Sequence, residues 1–104
     1  LCHYTEIKDA VAITQQYGSV EICILHFISG YPTPLEQSNL LAIKKLQREL
    51  NLPVGLSDHT LGNPTAIATI ALGACVIEKH FTLYRADGGL DVAFSLEPDE
   101  LAQM

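Results

Sequence analysis

Basic residues are scarce in this chain of 104 residues, and long apolar runs are missing. Six lysines and arginines stand against twelve aspartates and glutamates, so the formal net charge is -6. An acidic chain without a basic patch does not favour nucleic acid as a partner. No apolar run approaches the ~20 residues that a membrane-spanning helix needs, so we expect no membrane partner either.

Cysteines are also few, and they form no Cys-x-x-Cys pair. Of the three, Cys23 and Cys75 fall inside predicted strands, while Cys2 lies near the start of the sequence. We expect buried free thiols in a reducing compartment, the cytoplasm, rather than a metal or redox role. Because the chain begins at Leu1 and holds one small domain, we expect residues 1–104 to be a fragment of a larger protein.

Helix-like and strand-like segments alternate along the chain. Apolar spacing predicts helices over residues 5–17, 33–50, 63–73 and 98–104, and continuous apolar runs predict buried strands over residues 22–28, 52–59 and 74–81. This order predicts an α/β fold of parallel β/α units. Three strands cannot close a barrel, but they can form an arc of one.

The second helix has two possible starts. Thr33 and Glu36 fit a Thr-x-x-Glu capping box, with Pro34 at the first helical position. Ser38, which directly precedes the apolar residues of the helix, is the alternative. Both starts remain open from the sequence.

Two histidines close neighbouring predicted strands. His59 closes the second strand and His80 closes the third. Because a strand–helix–strand unit brings equivalent strand ends to one edge of a sheet, both imidazoles should lie at the C-terminal edge, where α/β proteins keep their chemistry. Neutral imidazoles bind first-row divalent metals, so the pair predicts a metal site.

Polar side chains flank these histidines at a spacing of two residues. Ser57 shares a side of its strand with His59, and Glu78 shares a side with His80, so the four side chains converge if both strands line one cavity. The alternative interpretation is a pair of ordinary strand-end histidines with hydrogen bonds. It stays open because the chain has no His-x-x-His or His-Glu-x-x-His signature.

For several residues near these strands, a structural role is the simpler interpretation. Asp58 and Lys79 should point away from the histidines if the strands are regular. His26 lies inside the first predicted strand, where a core or supporting role fits best. Tyr31 can wall a pocket, although its neighbouring prolines are sufficient to fix a turn. Asp91 lies in a glycine-rich loop, either as a solvent-exposed acid or as a specificity residue.

Four motifs follow one another in order and cover nearly the whole chain. They are Tyr31-Pro32-Thr33-Pro34, Gly55-Leu56-Ser57-Asp58-His59-Thr60, Glu78-Lys79-His80-Phe81-Thr82 and Ser95-Leu96-Glu97-Pro98-Asp99-Glu100-Leu101. In order and approximate spacing they resemble the N-acetylneuraminate (sialic acid) synthase family. That resemblance implies a partial TIM barrel, with the three strands as strands six to eight. It also implies a following antifreeze-like domain that reaches across a homodimer in the full-length protein.

The resemblance implies a reaction and a metal as well. Family members condense phosphoenolpyruvate with N-acetylmannosamine or a related N-acetylated amino sugar, giving a nonulosonic acid and phosphate, and they use Mn²⁺ or Mg²⁺. His59 and His80 match the family's metal-binding histidines. Glu78 matches an acid beside the metal, and we expect it to be catalytic.

Further residues match substrate contacts of the family. Ser57 matches a contact to the phosphate of phosphoenolpyruvate, and Tyr31 and Asp91 match contacts to the sugar acceptor. A synthase for legionaminic, pseudaminic or spore-coat sugar is an alternative, as is a non-catalytic metal-binding or assembly module with the same fold. Because the family's other substrate-binding groups come from earlier strands, we expect this chain alone to be inactive.

Overall fold

A computed structural model describes residues 2–18 and 21–104, and it holds one parallel sheet with flanking helices. The strands are β1 (Ile24–His26), β2 (Val54–Asp58) and β3 (Ile77–Lys79), in the order β1-β2-β3. The helices are α1 (Tyr4–Gln16), α2 (Leu41–Leu50), α3 (Pro64–Ala71) and α4 (Pro98–Ala102). Within the described ranges, no helix is long and apolar enough to cross a membrane. The expected order of parallel β/α units is confirmed.

The three strands are shorter than the apolar runs that predicted them. The run over residues 74–81 begins as an extension of the α3 C-terminus, because the Ala74 amide donates to the Thr69 carbonyl at 3.2 Å. Strand β3 therefore begins only at Ile77. At the other end of each run, His59 and His80 follow the last paired strand residues instead of belonging to the strands.

The second helix begins late, and Thr33 does not cap it. The Thr33 hydroxyl donates to two backbone carbonyls of the preceding turn, at 2.8 and 3.2 Å. Residues Leu35–Gln37 form a separate 3₁₀ turn, and α2 starts at Leu41. The capping-box start is therefore wrong, and the alternative at Ser38 lies closer to the observed boundary.

The core lies between the sheet and α2. Ile43 and Leu46 of α2 form one buried cluster with Val54 and Leu56 of β2 and with Ala74. Ile43 and Val54 are fully buried. Burying one side chain of this kind stabilises the fold by about 1.5–3 kcal/mol, so this cluster fixes β2 against the outer helix layer.

The opposite face of β2 needs a glycine at its centre. A Cβ atom built on Gly55 would lie 2.4 Å from the Val76 carbonyl oxygen and 2.8 Å from the Leu25 Cδ2 atom. Both distances are shorter than non-bonded contact allows. The absence of a side chain at Gly55 thus lets the neighbouring chain segments approach β2 closely.

All three cysteines are free, but the expectation that Cys23 and Cys75 are buried is wrong for this chain. Both precede the strands, because β1 and β3 begin later than the apolar runs. Partial desolvation and the neighbouring Cys75 thiol raise the pKa of Cys23. That thiol consequently stays protonated at neutral pH.

Candidate functional site

The second-last residues of β2 and β3 bring a hydroxyl and a carboxylate together. Ser57 and Glu78 are register partners in the parallel sheet. The Ser57 hydroxyl donates to Glu78 Oε1 at 2.6 Å. Ser57 is half-buried and Glu78 is exposed, so the carboxylate faces solvent while the hydroxyl lies deeper.

The two histidines lie one residue beyond the register pair Asp58 and Lys79. Their ring centroids are 5.2 Å apart, with the ring planes inclined at 52°. His59 is 7% exposed, and its Nδ1 atom has no hydrogen-bond partner among the described residues. His80 is half-buried. The structure therefore brings together the two imidazoles that the sequence predicted as neighbours.

Backbone hydrogen bonds from loops outside the sheet hold both histidines. The Thr33 amide donates to the His59 carbonyl at 2.9 Å, and the Leu96 amide donates to the His80 carbonyl at 2.8 Å. Phe81 and Leu96 form an isolated parallel bridge directly after His80. These bonds continue the backbone pairing past the strand ends, which orders the residues that carry the imidazoles.

Aromatic rings surround the histidine pair. The Tyr31 ring centroid lies 4.5 Å from that of His59 and 6.4 Å from that of His80. Phe94 lies 5.0 Å from His80, and Phe27 lies 6.0 Å from His59. The sequence motifs indicated Tyr31 but neither phenylalanine. Phe27 follows β1 in phase with Leu25, the register partner of Gly55, so the two-residue alternation is the signal that could have found it.

Asp91 approaches the site from the loop between β3 and α4. Its Oδ2 atom lies 4.0 Å from His80 Nδ1, and its side chain is about half exposed. Its backbone has a φ of 66°, in the left-handed region. The Asp91 carbonyl accepts a hydrogen bond from the Ser95 hydroxyl at 2.9 Å. A turn of this kind directs the carboxylate toward His80.

A buried ion pair lies on the other face of the sheet, behind the histidines. Asp58 and Lys79 point away from the site, as the alternation predicts, and Lys79 Nζ lies 2.7 Å from Asp58 Oδ2. The alternation along each strand predicted their direction but not their contact. Two opposite charges, each directly before a strand-end histidine, are the signal that could have found this contact once the strand register was known.

His26, the last residue of β1, has a structural role. His26 is half-buried at the end of β1, and its Nε2 atom lies 2.9 Å from the Ser38 carbonyl oxygen. This contact joins β1 to the segment before α2. It agrees with the core or supporting role predicted for His26.

The described residues can supply part of the ligand set of a divalent cation. His59 and His80 supply two imidazoles, and one buried nitrogen of His59 is not engaged in a hydrogen bond. Within residues 2–18 and 21–104, no group of three or more His, Cys, Asp or Glu side chains is arranged to hold a metal ion. A cation bound here would therefore take its other ligands from outside the described residues, from substrate or from water.

Comparison with known proteins identifies the family. The NeuB family model matches residues 1–104. The chain belongs to the NeuB family. Two relatives come from Campylobacter jejuni: an N,N'-diacetyllegionaminic acid synthase, 44% identical over 101 residues, and a pseudaminic acid synthase, 43% identical over 99 residues. Each alignment covers 95% of this chain, which spans only 30% and 29% of the two relatives.

A solved structure agrees with this family and confirms the fold. The crystal structure of N-acetylneuraminic acid (sialic acid) synthetase from Leptospira borgpetersenii matches with a TM-score of 0.92 and 38% sequence identity. The match covers 98% of this chain and 35% of that one. The NeuB-family chain is thus a partial TIM barrel, with three parallel strands and flanking helices.

Proposed function

We propose that this chain forms part of the active site of a nonulosonic acid synthase. The reaction is the condensation of phosphoenolpyruvate with N-acetylmannosamine or a related N-acetylated amino sugar, with release of phosphate. The observation that carries the proposal is the convergence of two imidazoles at the C-terminal strand ends, next to a serine–carboxylate pair. Relatives named as synthases for legionaminic and pseudaminic acid support the reaction class.

His59 and His80 are the residues that would hold Mn²⁺ or Mg²⁺. When bound, such a cation polarises the aldehyde oxygen of the sugar and makes the aldehyde carbon more electrophilic. The ring spacing of 5.2 Å and the burial of His59 support this role. Because His59 is buried and His80 is only half-buried, the side of the pair at His80 is open to substrate.

Ser57 and Glu78 are proposed to act together on phosphoenolpyruvate and water. Ser57 has one hydroxyl proton, which it donates to Glu78. The phosphate of phosphoenolpyruvate presents acceptor oxygens. When the Ser57 hydroxyl donates to the phosphate, it no longer donates to Glu78. As C3 of phosphoenolpyruvate bonds to the aldehyde carbon, C2 becomes electron-poor and water adds to it. The released carboxylate can accept the proton that this water loses, and the C2–O bond to phosphate then breaks.

Tyr31 and Asp91 are proposed to hold the sugar acceptor. The Tyr31 ring is 54% exposed and lies beside both imidazoles, where it offers an apolar face to a sugar ring. Asp91 presents an exposed carboxylate near His80, which can accept hydrogen bonds from sugar hydroxyls. Holding the aldehyde close to phosphoenolpyruvate lowers the entropic part of the barrier.

The same proposal extends to the full-length protein. It is a cytoplasmic homodimer that acts on phosphoenolpyruvate and an N-acetylated amino sugar. The three free thiols of this chain support a reducing compartment. This chain alone should show no turnover, because it supplies only part of the site, and turnover by the isolated chain would contradict that expectation.

A chimeric enzyme tests the proposal. In the Campylobacter jejuni N,N'-diacetyllegionaminic acid synthase, the segment matched by this chain would be replaced by it, and phosphate release from phosphoenolpyruvate would be measured with that enzyme's own acceptor. We expect turnover in the chimera and its loss on His59→Ala or Ser57→Ala. His26→Ala, outside the site, should keep it. Undiminished turnover in the His59→Ala chimera would refute the proposal.

A further inference from the structure

The ion pair behind the histidines is almost completely shielded from solvent. The side chains of Lys79 and Asp58 are 2% and 0% exposed. Asp58 directly precedes His59, and Lys79 directly precedes His80. A side-chain contact of 2.7 Å between β2 and β3 therefore joins the two residues that directly precede the histidines.

The same ammonium group also fixes the chain on the far side of His59. Lys79 Nζ donates to the Thr60 carbonyl at 2.8 Å. Asp58 Oδ1 in turn accepts from the Thr60 amide at 2.9 Å and from the Thr60 hydroxyl at 2.7 Å. Both ends of the segment from Asp58 to Thr60 are thus bonded to Lys79, and His59 is its middle residue.

This network is tied to α3 as well. The Thr60 hydroxyl lies 3.0 Å from the Thr65 hydroxyl in the first turn of α3, and both threonines are buried. The turn at His59 is therefore bonded to the neighbouring strand and to the following helix. All these contacts lie on the sheet face opposite the imidazoles.

We infer that Asp58 and Lys79 are positioning residues, which set the separation and direction of the His59 and His80 rings. The inference rests on the proposed function for the cation, but the ring geometry itself is independent of it. Charged partners with directional hydrogen bonds restrict backbone placement more tightly than an apolar pair of similar volume. Supporting groups behind metal-ligating histidines typically change metal affinity by about 10- to 100-fold when they are removed.

A double variant tests this role. Asp58→Asn/Lys79→Met removes the cross-strand tie, keeps an acceptor for Thr60 and leaves the net charge of the chain unchanged. In the 104-residue chain, Mn²⁺ affinity should fall by about 10- to 100-fold while the thermal unfolding midpoint stays close to that of the unmodified chain. Thr60→Val removes the hydroxyl contacts to Asp58 and Thr65 without stranding a charge, so it should give an intermediate loss and serves if the double variant does not fold.

A buried substitution outside the network is the matched control. Thr69 is 0% exposed, and its hydroxyl has no hydrogen-bond partner among the described residues. Thr69→Val should leave Mn²⁺ affinity unchanged. An equal loss of affinity in Thr69→Val and in the double variant would overturn the inference, because any core change would then suffice.

A second measurement needs no metal. A nuclear Overhauser effect between the His59 and His80 ring protons should be observable in the unmodified chain, whose ring centroids are 5.2 Å apart, and should weaken in the double variant. An unchanged effect would overturn the inference. The chimeric synthase tests the proposed function separately, and this measurement decides whether Asp58 and Lys79 position the rings even if the unmodified chain binds no Mn²⁺.

Discussion

At the residue scale, two buried charges restrict how β2 and β3 lie relative to each other. Asp58 and Lys79 form a contact of 2.7 Å with almost no solvent access. Desolvating both ions is costly, and their attraction offsets that cost only while both are present. The pair therefore specifies geometry more than it adds stability, and loss of one partner should be far more harmful than loss of both.

We predict that Lys79→Met destabilises the chain by about 3–5 kcal/mol, because it leaves the Asp58 carboxylate buried without its cation. Urea unfolding followed by circular dichroism measures this loss. The control is Arg48→Met, since Arg48 is 79% exposed and lies 3.8 Å from Glu49. That change should cost no more than about 0.5 kcal/mol. Similar losses in the two variants would show that Asp58 is not stranded as described.

A second residue-scale prediction concerns the centre of β2. Gly55→Ala places a methyl group 2.4 Å from the Val76 carbonyl oxygen, so the adjoining chain must shift. We expect a loss of about 1–3 kcal/mol in the free energy of unfolding. Gly30→Ala is the matched control, because its nearest contacts would be 3.5–3.6 Å. Equal stability of the two variants would contradict the close approach at Gly55.

At the element scale, one arginine holds the connection from β3 to α4. Arg85 donates to the Ser95 carbonyl from Nε at 3.1 Å and from Nη2 at 2.8 Å. It also pairs with Glu100 and, at 3.6 Å, with Glu97. Because the Ser95 hydroxyl bonds the Asp91 carbonyl, this cluster also orders the loop that brings Asp91 to His80.

The cluster gives the connection a dependence on pH. The Glu97 amide and the Arg85 side chain hold the pKa of Glu100 below its ordinary value of 4.5. Because the folded pKa is lower than the unfolded one, the stabilisation is fully present above the unfolded value and is lost as pH falls through the folded value. Acid should therefore loosen α4 and the Asp91 loop.

Glu100→Gln tests this dependence. The variant should unfold at a lower temperature than the unmodified chain at neutral pH, and the difference should shrink as pH falls below 4.5. Thermal unfolding at several pH values measures it. Glu36→Gln, an exposed carboxyl on a separate 3₁₀ turn, should show no comparable trend. A difference for Glu100→Gln that is constant with pH would contradict the argument.

Element types were predictable from the sequence, whereas their limits were not. Continuous apolar runs and helical spacing predicted, in order, the three strands and four α-helices found in residues 2–18 and 21–104. The limits depend on individual hydrogen bonds that the pattern does not contain. The Ala74 amide bonds back to Thr69 and delays β3, and the Thr33 hydroxyl bonds backwards instead of capping α2.

The candidate site was predictable in part for the same physical reason. Two-residue alternation placed Ser57 with Glu78, and equivalent strand ends placed His59 with His80. The roles of these side chains in binding metal and substrate stay predictions. Phe94 could not be foreseen, because it comes from a 3₁₀ turn in a long connection whose path no sequence pattern fixes.

At the scale of the whole molecule, an open sheet of three strands has two edges, β1 and β3. Closed barrels have no such edges, and exposed edges promote association. Large apolar side chains are also exposed, among them Leu90 at 93% and Leu41 at 71%. The 104-residue chain therefore has two kinds of surface that favour contact with other copies.

We predict that this chain associates with itself in solution. Sedimentation velocity should show a sedimentation coefficient that rises with protein concentration, because both strand edges and the apolar surface can pair. The chimeric synthase, in which the same segment lies inside a complete barrel, is the comparison and should show a single species. A chain that stays monomeric at every concentration would contradict this expectation.

The central claim is that His59 and His80 hold a divalent cation in a nonulosonic acid synthase. The most direct test is a Mn²⁺ titration of the chain, with free Mn²⁺ followed by electron paramagnetic resonance. We expect His59→Ala and His80→Ala each to weaken binding by more than about tenfold, and His26→Ala, whose ring bonds the Ser38 carbonyl, to leave it unchanged. Equal affinity in the unmodified chain and all three variants would contradict the claim.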